Sequence, residues 1–254
     1  MTKRYLVTGA AGFVGEHLVR YLHDHGIAVR AMVRRVEQAE ALRTFAEVVV
    51  ADITKPETLA PAMDGIAGVY HVAGLFRQEG LPAETFHAVN ADGVRNVFDA
   101  AVAANVSRVV HCSTNGVHSD IKTPPADETA PFNPGDIYQE TKLAGEKIAM
   151  SYYEAGKMSG VVLRPTMIYG PGDARTLKLF SMISKRRFFY VGRGQAYTHW
   201  VDVRDLAAAF EAAMEHTEVN AEAFLIGGRT YHTLKENVTE IAKQLGAPDP
   251  KLHL

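Results

Sequence analysis

The sequence contains one cysteine, Cys112, among 254 residues, which excludes an intramolecular disulfide. Cys112 closes the apolar run Val109-Val110-His111-Cys112, where a buried structural thiol is expected rather than a nucleophile. A single thiol fits a reducing compartment. No apolar run approaches the ~20 residues that cross a bilayer, so no membrane partner is expected. The stretch from Met1 to Thr8, interrupted by Gly9, is too short for a signal peptide, and a cytoplasmic location is the expectation. An excess of charge is also missing: 27 basic residues face 29 acidic ones, with both signs scattered. Neither a basic stripe for nucleic acid nor an acidic binding tail is present. No Cys/His cluster has metal-ligand spacing, so no metal is expected. His23 and His25 lie two apart on a helical stretch and cannot chelate together.

What remains is an ordinary globular composition, 47% hydrophobic and 22% charged, at about the upper length for one hydrophobic core. Short β-branched runs alternate with longer helical patterns, which predicts an α/β fold with a doubly wound parallel sheet. Strands are expected at 4–8, 28–33, 48–50, 68–72, 108–113 and 161–164, the last stopped by Pro165. Helices are expected at 12–25, 83–105 and 136–155, with Thr54 and Glu57 forming a capping box for another. Pro124, Pro125, Pro131 and Pro134 make residues 120–135 a loop. Beyond Pro165 the pattern loosens into helices near 176–184, 203–215 and 234–245 and strands at 188–191 and 223–226. One domain spanning 1–254 is expected, with residues about 166–200 and 222–254 forming a small C-terminal lobe.

The sharpest local signal is Thr8-Gly9-Ala10-Ala11-Gly12-Phe13-Val14-Gly15, between the first strand and first helix. Gly9 permits a tight turn, Gly12 lets a pyrophosphate approach the backbone, and Gly15 allows close helix–strand packing. The helix N-terminus then offers N–H groups and a partial positive charge to phosphates. Strand, glycine triplet and helix together point to a dinucleotide in a Rossmann-type fold. The second strand ends on Val33-Arg34-Arg35 without a carboxylate to grip ribose hydroxyls. Two arginines there favour the 2′-phosphate of NADP(H), with NAD(H) left open.

Tyr138-Gln139-Glu140-Thr141-Lys142 places a phenol and an ammonium four residues apart, on one face of a helix. The Gly-x-x-Gly-x-x-Gly spacing, this pair and the Ser113-Thr114 segment before it resemble the extended branch of the short-chain dehydrogenase/reductase superfamily. That resemblance implies a catalytic set of Thr114, Tyr138 and Lys142. Thr114 is chosen over Ser113 by its register three residues before Val117. It further implies that Asn90 bridges the backbone and Lys142 through water. Asp52 and Ile53 match the adenine-contacting positions, His71-Val72-Ala73-Gly74 the loop beneath the ribose, and Pro165 and Met167 the nicotinamide-facing segment. The chemistry fits these residue types. Hydride transfer to a carbonyl builds an alkoxide that must be protonated, and bringing a tyrosine from pKa about 10 to near 7 requires about 4 kcal/mol of differential stabilisation.

The block Tyr197-Thr198-His199-Trp200-Val201-Asp202-Val203-Arg204-Asp205 lacks the arginine that sugar-nucleotide enzymes of this superfamily place before an Asp-Phe pair. It looks like dihydroflavonol and cinnamoyl-CoA reductases, while Tyr70-His71-Val72-Ala73-Gly74 also resembles 3β-hydroxysteroid dehydrogenases. The resemblance therefore implies an NAD(P)-dependent oxidoreductase acting on a ketone, aldehyde or secondary alcohol. A pocket from Leu75, Phe76, Asn115, Met167, Tyr169, Phe180 and Trp200 would receive that substrate. Two alternatives stay open, a nucleotide-sugar epimerase or dehydratase and a non-catalytic dinucleotide sensor. In the family the helices at 83–105 and 136–155 pair across a two-fold axis, which implies a homodimer.

Overall fold

Strands buried on both faces read as near-continuous enclosed runs rather than an alternation of apolar and polar residues. Arg-Val-Val-His-Cys at 108–112 is buried at every position, as is Gly-Val-Tyr-His at 68–71. The computed structural model, which describes residues 3–251, builds a seven-stranded parallel sheet from such segments.

In chain order the elements are β1 (Arg4–Thr8), α1 (Phe13–Asp24), β2 (Ala28–Val33), β3 (Glu47–Val50), α2 (Leu59–Met63), β4 (Gly68–His71), α3 (Ala83–His87), α4 (Gly93–Ala103), β5 (Arg108–Cys112) and α5 (Ile137–Glu154). They continue as β6 (Ser159–Pro165), β7 (Met167–Tyr169), α6 (Ala174–Ser184), β8 (Tyr197–Thr198), β9 (Trp200–Asp202), α7 (Val203–Glu215), β10 (Glu222–Ile226), β11 (His232–Thr233) and α8 (Leu234–Gln244). The large sheet runs β10-β6-β5-β4-β1-β2-β3. The order reverses at β1, flanked by β2 on one side and β4 on the other. In open α/β sheets that switch point leaves a crevice beyond the strands' C-terminal ends.

One face of the sheet buries Leu6, Val69, Val109 and Val162 against Val97 and Phe98 of α4 and Ala149 and Tyr153 of α5. On the other face, Tyr70 meets Phe210 of α7, and Tyr21 of α1 donates to Glu211 at 2.8 Å. Arg108, almost fully buried, ties the sheet's end to the chain after α7. It donates to the carbonyls of Ala213, His216 and Val219.

The chain divides into two compact units, Met1–Pro165 with Arg204–Ile226, and Thr166–Val203 with Gly227–Leu254. The smaller unit has its own core of Ile183, Tyr190, Val238 and Ala242, with α6 packed on α8. Its strands form two small sheets, β7-β9 parallel and β8-β11 antiparallel.

The parallel α/β expectation holds, with departures that have local causes. The helix expected at 83–105 is α3 and α4 joined by a π-helical turn at Ala88–Asp92. The capping box at Thr54 does not form. Asp52 Oδ1 accepts both the N–H and the hydroxyl of Thr54 instead, and a 3-10 turn at Pro56–Thr58 leads into the short α2. Strand β6 ends on Pro165 itself, paired with Ile226. No strand forms at 188–191 beyond an isolated bridge at Tyr190. Phe188 and Tyr190 pack into the smaller core while Val191 stays 81% exposed, so the apolar alternation marks anchoring without a ladder.

Candidate active site

The turn between β1 and α1 is shaped by backbone crowding. Gly9 has φ +69°, and a Cβ there would stand 2.8 Å from Ala73 Cα. A Cβ on Gly15 would meet the Gly9 carbonyl at 2.2 Å, so only glycine lets α1 start this close to β1. Gly12 is different: its sole close neighbour is the Gly9 carbonyl at 3.3 Å, and the helix it opens carries no side-chain cap. Ala11 and Gly12 are exposed and Phe13 and Val14 half-buried, which leaves the N-terminus of α1 accessible to an anion.

Thr8 links the two strands at the switch point. Its hydroxyl accepts the Ala73 N–H at 3.1 Å and pairs with His71 Nδ1 at 2.8 Å. The His71 Nε2 and both ring nitrogens of His111 are buried without a hydrogen-bond partner. Burial, with Lys142 nearby, pushes the His71 imidazole down to about 3 and holds that of His111 well below its ordinary range.

Beyond β2 and β3 lies an open groove of about 440 Å³, whose lining includes Arg34, Asp52, Thr54, Glu84 and Val89. Arg34 and Arg35 are both exposed, and Arg34 is the one in the groove's lining. Ile53 is a core residue, 4% exposed, and its carbonyl accepts from Asn96, so its side chain lies away from the groove.

The catalytic candidates are organised by α5. Asp136 caps this helix through Oδ1, which accepts the Gln139 N–H at 2.8 Å. Tyr138 and Lys142 follow on one helical face. Lys142 is 5% exposed and donates from Nζ to the Cys112 carbonyl at 2.6 Å. Burial lowers its pKa, while Cys112 and Glu146 act in the opposite sense. A Cβ on Gly74 would lie 3.4 Å from Asn90 Oδ1 and 3.6 Å from Lys142 Nζ, so these two polar groups converge beneath the loop after β4.

Asn90 sits in the π-helical turn, a feature common at functional sites. Its side chain holds two neighbouring segments directly. Its Oδ1 accepts the Leu75 N–H at 2.8 Å, and its Nδ2 donates to the Leu75 carbonyl and to Thr141 Oγ1. Asn90 therefore clamps the loop after β4 onto α5.

Ser113 and Thr114 part company at the end of β5. Ser113 is buried and donates to Glu146 Oε2 at 2.5 Å. Thr114 is half-buried and caps the 3-10 turn Asn115–His118, its oxygen accepting the Gly116 N–H at 3.1 Å. Its hydroxyl hydrogen is left to donate elsewhere.

Of the pocket candidates, Leu75 is half-buried, Phe76 is 45% exposed and Asn115 is exposed, all in the larger unit. Pro165 is buried at the end of β6. Met167, Tyr169, Phe180 and Trp200 belong to the smaller unit, where the Trp200 ring meets Tyr169 edge-on and its Nε1 donates to Thr198. Cys112 is buried, its thiol pushed up by burial. Three neighbours of the candidate residues were missed by sequence reasoning: Arg77 over the Tyr138 ring, Glu146 on Ser113, and Asp136 at the cap of α5. Glu146 carried a usable signal, since it lies four residues past Lys142 on the same helical face. Arg77, in an irregular loop, carried none.

Residues 5–227 match the profile described as "NAD dependent epimerase/dehydratase family". The chain belongs to that family. It is 31% identical over 253 residues to a 4-hydroxy-2-methyl-3-oxo-4-farnesyl-3,4-dihydroquinoline-1-oxide ketoreductase of Stigmatella aurantiaca, covering 96% of this chain and 75% of that protein. It is 34% identical over 224 residues to a 3 beta-hydroxysteroid dehydrogenase/Delta 5-->4-isomerase of Mycobacterium tuberculosis, covering 84% of this chain but 60% of that one. Among solved structures, MoeE5 in complex with UDP-glucose and NAD superposes with a TM-score of 0.83 at 26% identity, over 99% of this chain and 85% of that one. The expected kinship with extended short-chain dehydrogenases/reductases, and with their 3β-hydroxysteroid dehydrogenase-like members, is therefore borne out. Among the described residues no helix is long and apolar enough to cross a membrane.

Proposed function

We propose that this protein is an NADP(H)-preferring oxidoreductase that moves a hydride between nicotinamide and an apolar ketone or secondary alcohol. The observation that carries the proposal is the convergence on one face of α5, where Tyr138 opens the helix and Lys142 is buried against Cys112 beside Gly74. The glycine cradle, the uncapped start of α1 and the groove containing Arg34 and Asp52 suit a dinucleotide. When bound, that cofactor would supply the hydride acceptor or donor.

The chain's own residues would handle the proton. Thr114 would donate its hydroxyl hydrogen to the substrate oxygen and hold it near Tyr138. Tyr138 would give its phenolic proton to the forming alkoxide, or take one in the reverse direction. Lys142 and the positive end of α5 would stabilise the phenolate. Asn90 would keep the loop of Leu75 and Phe76 in place. Arg34 and Arg35, with no carboxylate ending β2, support NADP(H) over NAD(H).

The smaller unit would supply the substrate lobe with Met167, Tyr169 and Phe180. The relatives' names, a farnesylated quinoline-oxide ketoreductase and a hydroxysteroid dehydrogenase, support a prenylated or polycyclic substrate. A cytosolic homodimer completes the proposal.

The test follows NADPH and NADH absorbance while the purified chain meets steroid, prenylated and aromatic ketones, with Tyr138→Phe as control. Consumption lost in the variant supports the proposal, and near-normal turnover by Tyr138→Phe overturns it. Cofactor binding without consumption, together with interconversion of sugar nucleotides, would move the assignment to an epimerase, the reading that the likeness to MoeE5 favours.

A further inference from the structure

The loop after β4 touches Tyr138 directly, and one of its contacts, from Arg77, has no part in the hydride-transfer reading. Asn90 clamps the Leu75 backbone, and the next two side chains close over the phenol. The Phe76 ring stands edge-on to Tyr138, centroids 5.0 Å apart. The Arg77 guanidinium lies 4.9 Å from the Tyr138 ring centroid and donates from Nε to Asp136 Oδ2 at 2.7 Å. Asp136 thus serves two partners, the helix N-cap through Oδ1 and Arg77 through Oδ2.

We propose that Arg77 is a positioning residue for Tyr138, holding its ring in place and biasing the phenol toward the phenolate. The inference rests on the reading of Tyr138 as the general acid/base. Arg77 lies over the ring, its ion-pair partner Asp136 caps the same helix, and Lys142 follows one turn along the same helical face. The Asp136 carboxylate disfavours a second negative charge beside it, and the Arg77 cation offsets that penalty. A guanidinium over a ring is attracted to its π face and more strongly to an anionic ring, so the contact both orients and tunes. Arg77 is about half exposed, with a side-chain exposure of 47%, so its influence is modest. At that exposure, the difference between its attraction to the phenolate and to the neutral ring corresponds to a shift of about half a pH unit in the phenol's titration.

The experiment is a pH titration by NMR of the full chain carrying ring-13C tyrosine, with Tyr138 assigned by the signal lost in Tyr138→Phe. Arg77→Gln is expected to raise the Tyr138 midpoint by about half a unit, and Arg77→Met to do the same. Asp136→Asn still caps the helix but loses its charge, and is expected to lower the midpoint. The acid limb of kcat/KM for alcohol oxidation should move with the midpoint. An unmoved midpoint in both Arg77 variants overturns the inference, as do Arg77 and Asp136 variants that shift it in the same direction. The titration needs no substrate, so it stands or falls separately from the turnover of Tyr138→Phe, which tests the underlying reading.

Discussion

Glu146 and Arg164 form a buried forked ion pair, with Arg164 Nη2 2.6 Å from Glu146 Oε1 and Nε within reach of both carboxylate oxygens. The pair lies behind the candidate catalytic residues. Glu146 also accepts from Ser113, next to Thr114, and Arg164 reaches His118 Nε2 in the turn that Thr114 caps. Removing one member of a buried pair leaves an uncompensated charge, at a cost of about 3–5 kcal/mol. Arg164→Met is therefore expected to lower the urea-unfolding free energy by that order. Arg164→Met with Glu146→Leu should recover much of the loss. A double variant as unstable as the single one would show that the carboxylate is not the source.

Gly145 lets α5 approach the π-helical turn of Asn90. A Cβ there would stand 2.0 Å from the Asn90 carbonyl and 3.0 Å from Val94 Cγ2. Backbone cannot yield as a flexible side chain can, so Gly145→Ala should destabilise by about 1–3 kcal/mol or more. It should also loosen the Leu75 clamp. Chemical denaturation measures the first effect, and faster amide exchange at Leu75 the second. Wild-type exchange at Leu75 in a destabilised variant would separate the clamp from the packing.

The parallel sheet and the glycine turn were legible because they depend on local pattern. Val-Val-His-Cys and Gly-Val-Tyr-His read as enclosed strands, and Gly9 and Gly15 sit where a Cβ has no room. Tyr138 and Lys142 were legible through helical spacing, and their meaning came from the family resemblance. What stayed hidden depends on tertiary approach. The π-helical turn lies where α5 docks closely through Gly145, an approach that no periodicity encodes. Thr54 caps nothing because Asp52, two residues earlier, takes both its N–H and its hydroxyl in an Asx turn, and the 3-10 turn that follows starts without a side-chain cap. The side-chain partner of Asn90, and the contact of Arg77 with Tyr138, join segments about 60 residues apart or less that only the folded sheet brings together beyond its strands' C-terminal ends.

His71 and His111 set an acid limit on stability. They face each other across β4 and β5, ring centroids 5.2 Å apart, and burial holds both neutral. Their folded-state pKa values lie below the unfolded value of about 6.5, so between the two the unfolded chain binds more protons. Stability is then full above about pH 6.5 and falls as pH drops toward 3, the folded value for His71. Urea unfolding at pH 7.5 and 5.0 should show the loss. His111→Leu, which removes one of the two, should reduce it, and an equally steep loss in that variant would refute the assignment.

Arg34 offers the most direct test of cofactor preference. It is exposed at the end of β2 and lines the groove that Asp52 also borders. A guanidinium paired with a 2′-phosphate makes charge-assisted hydrogen bonds worth about 1.5–3 kcal/mol, and NADH has no phosphate to receive them. Arg34→Ala should therefore weaken NADPH binding about tenfold or more while leaving NADH binding nearly unchanged. Arg34→Lys should fall between, keeping the charge without the planar fork. Titration of cofactor fluorescence against the three proteins reads both constants. Equal weakening toward NADPH and NADH would place Arg34 against a part common to both cofactors, and preference would then have to come from Arg35 or from the groove's shape.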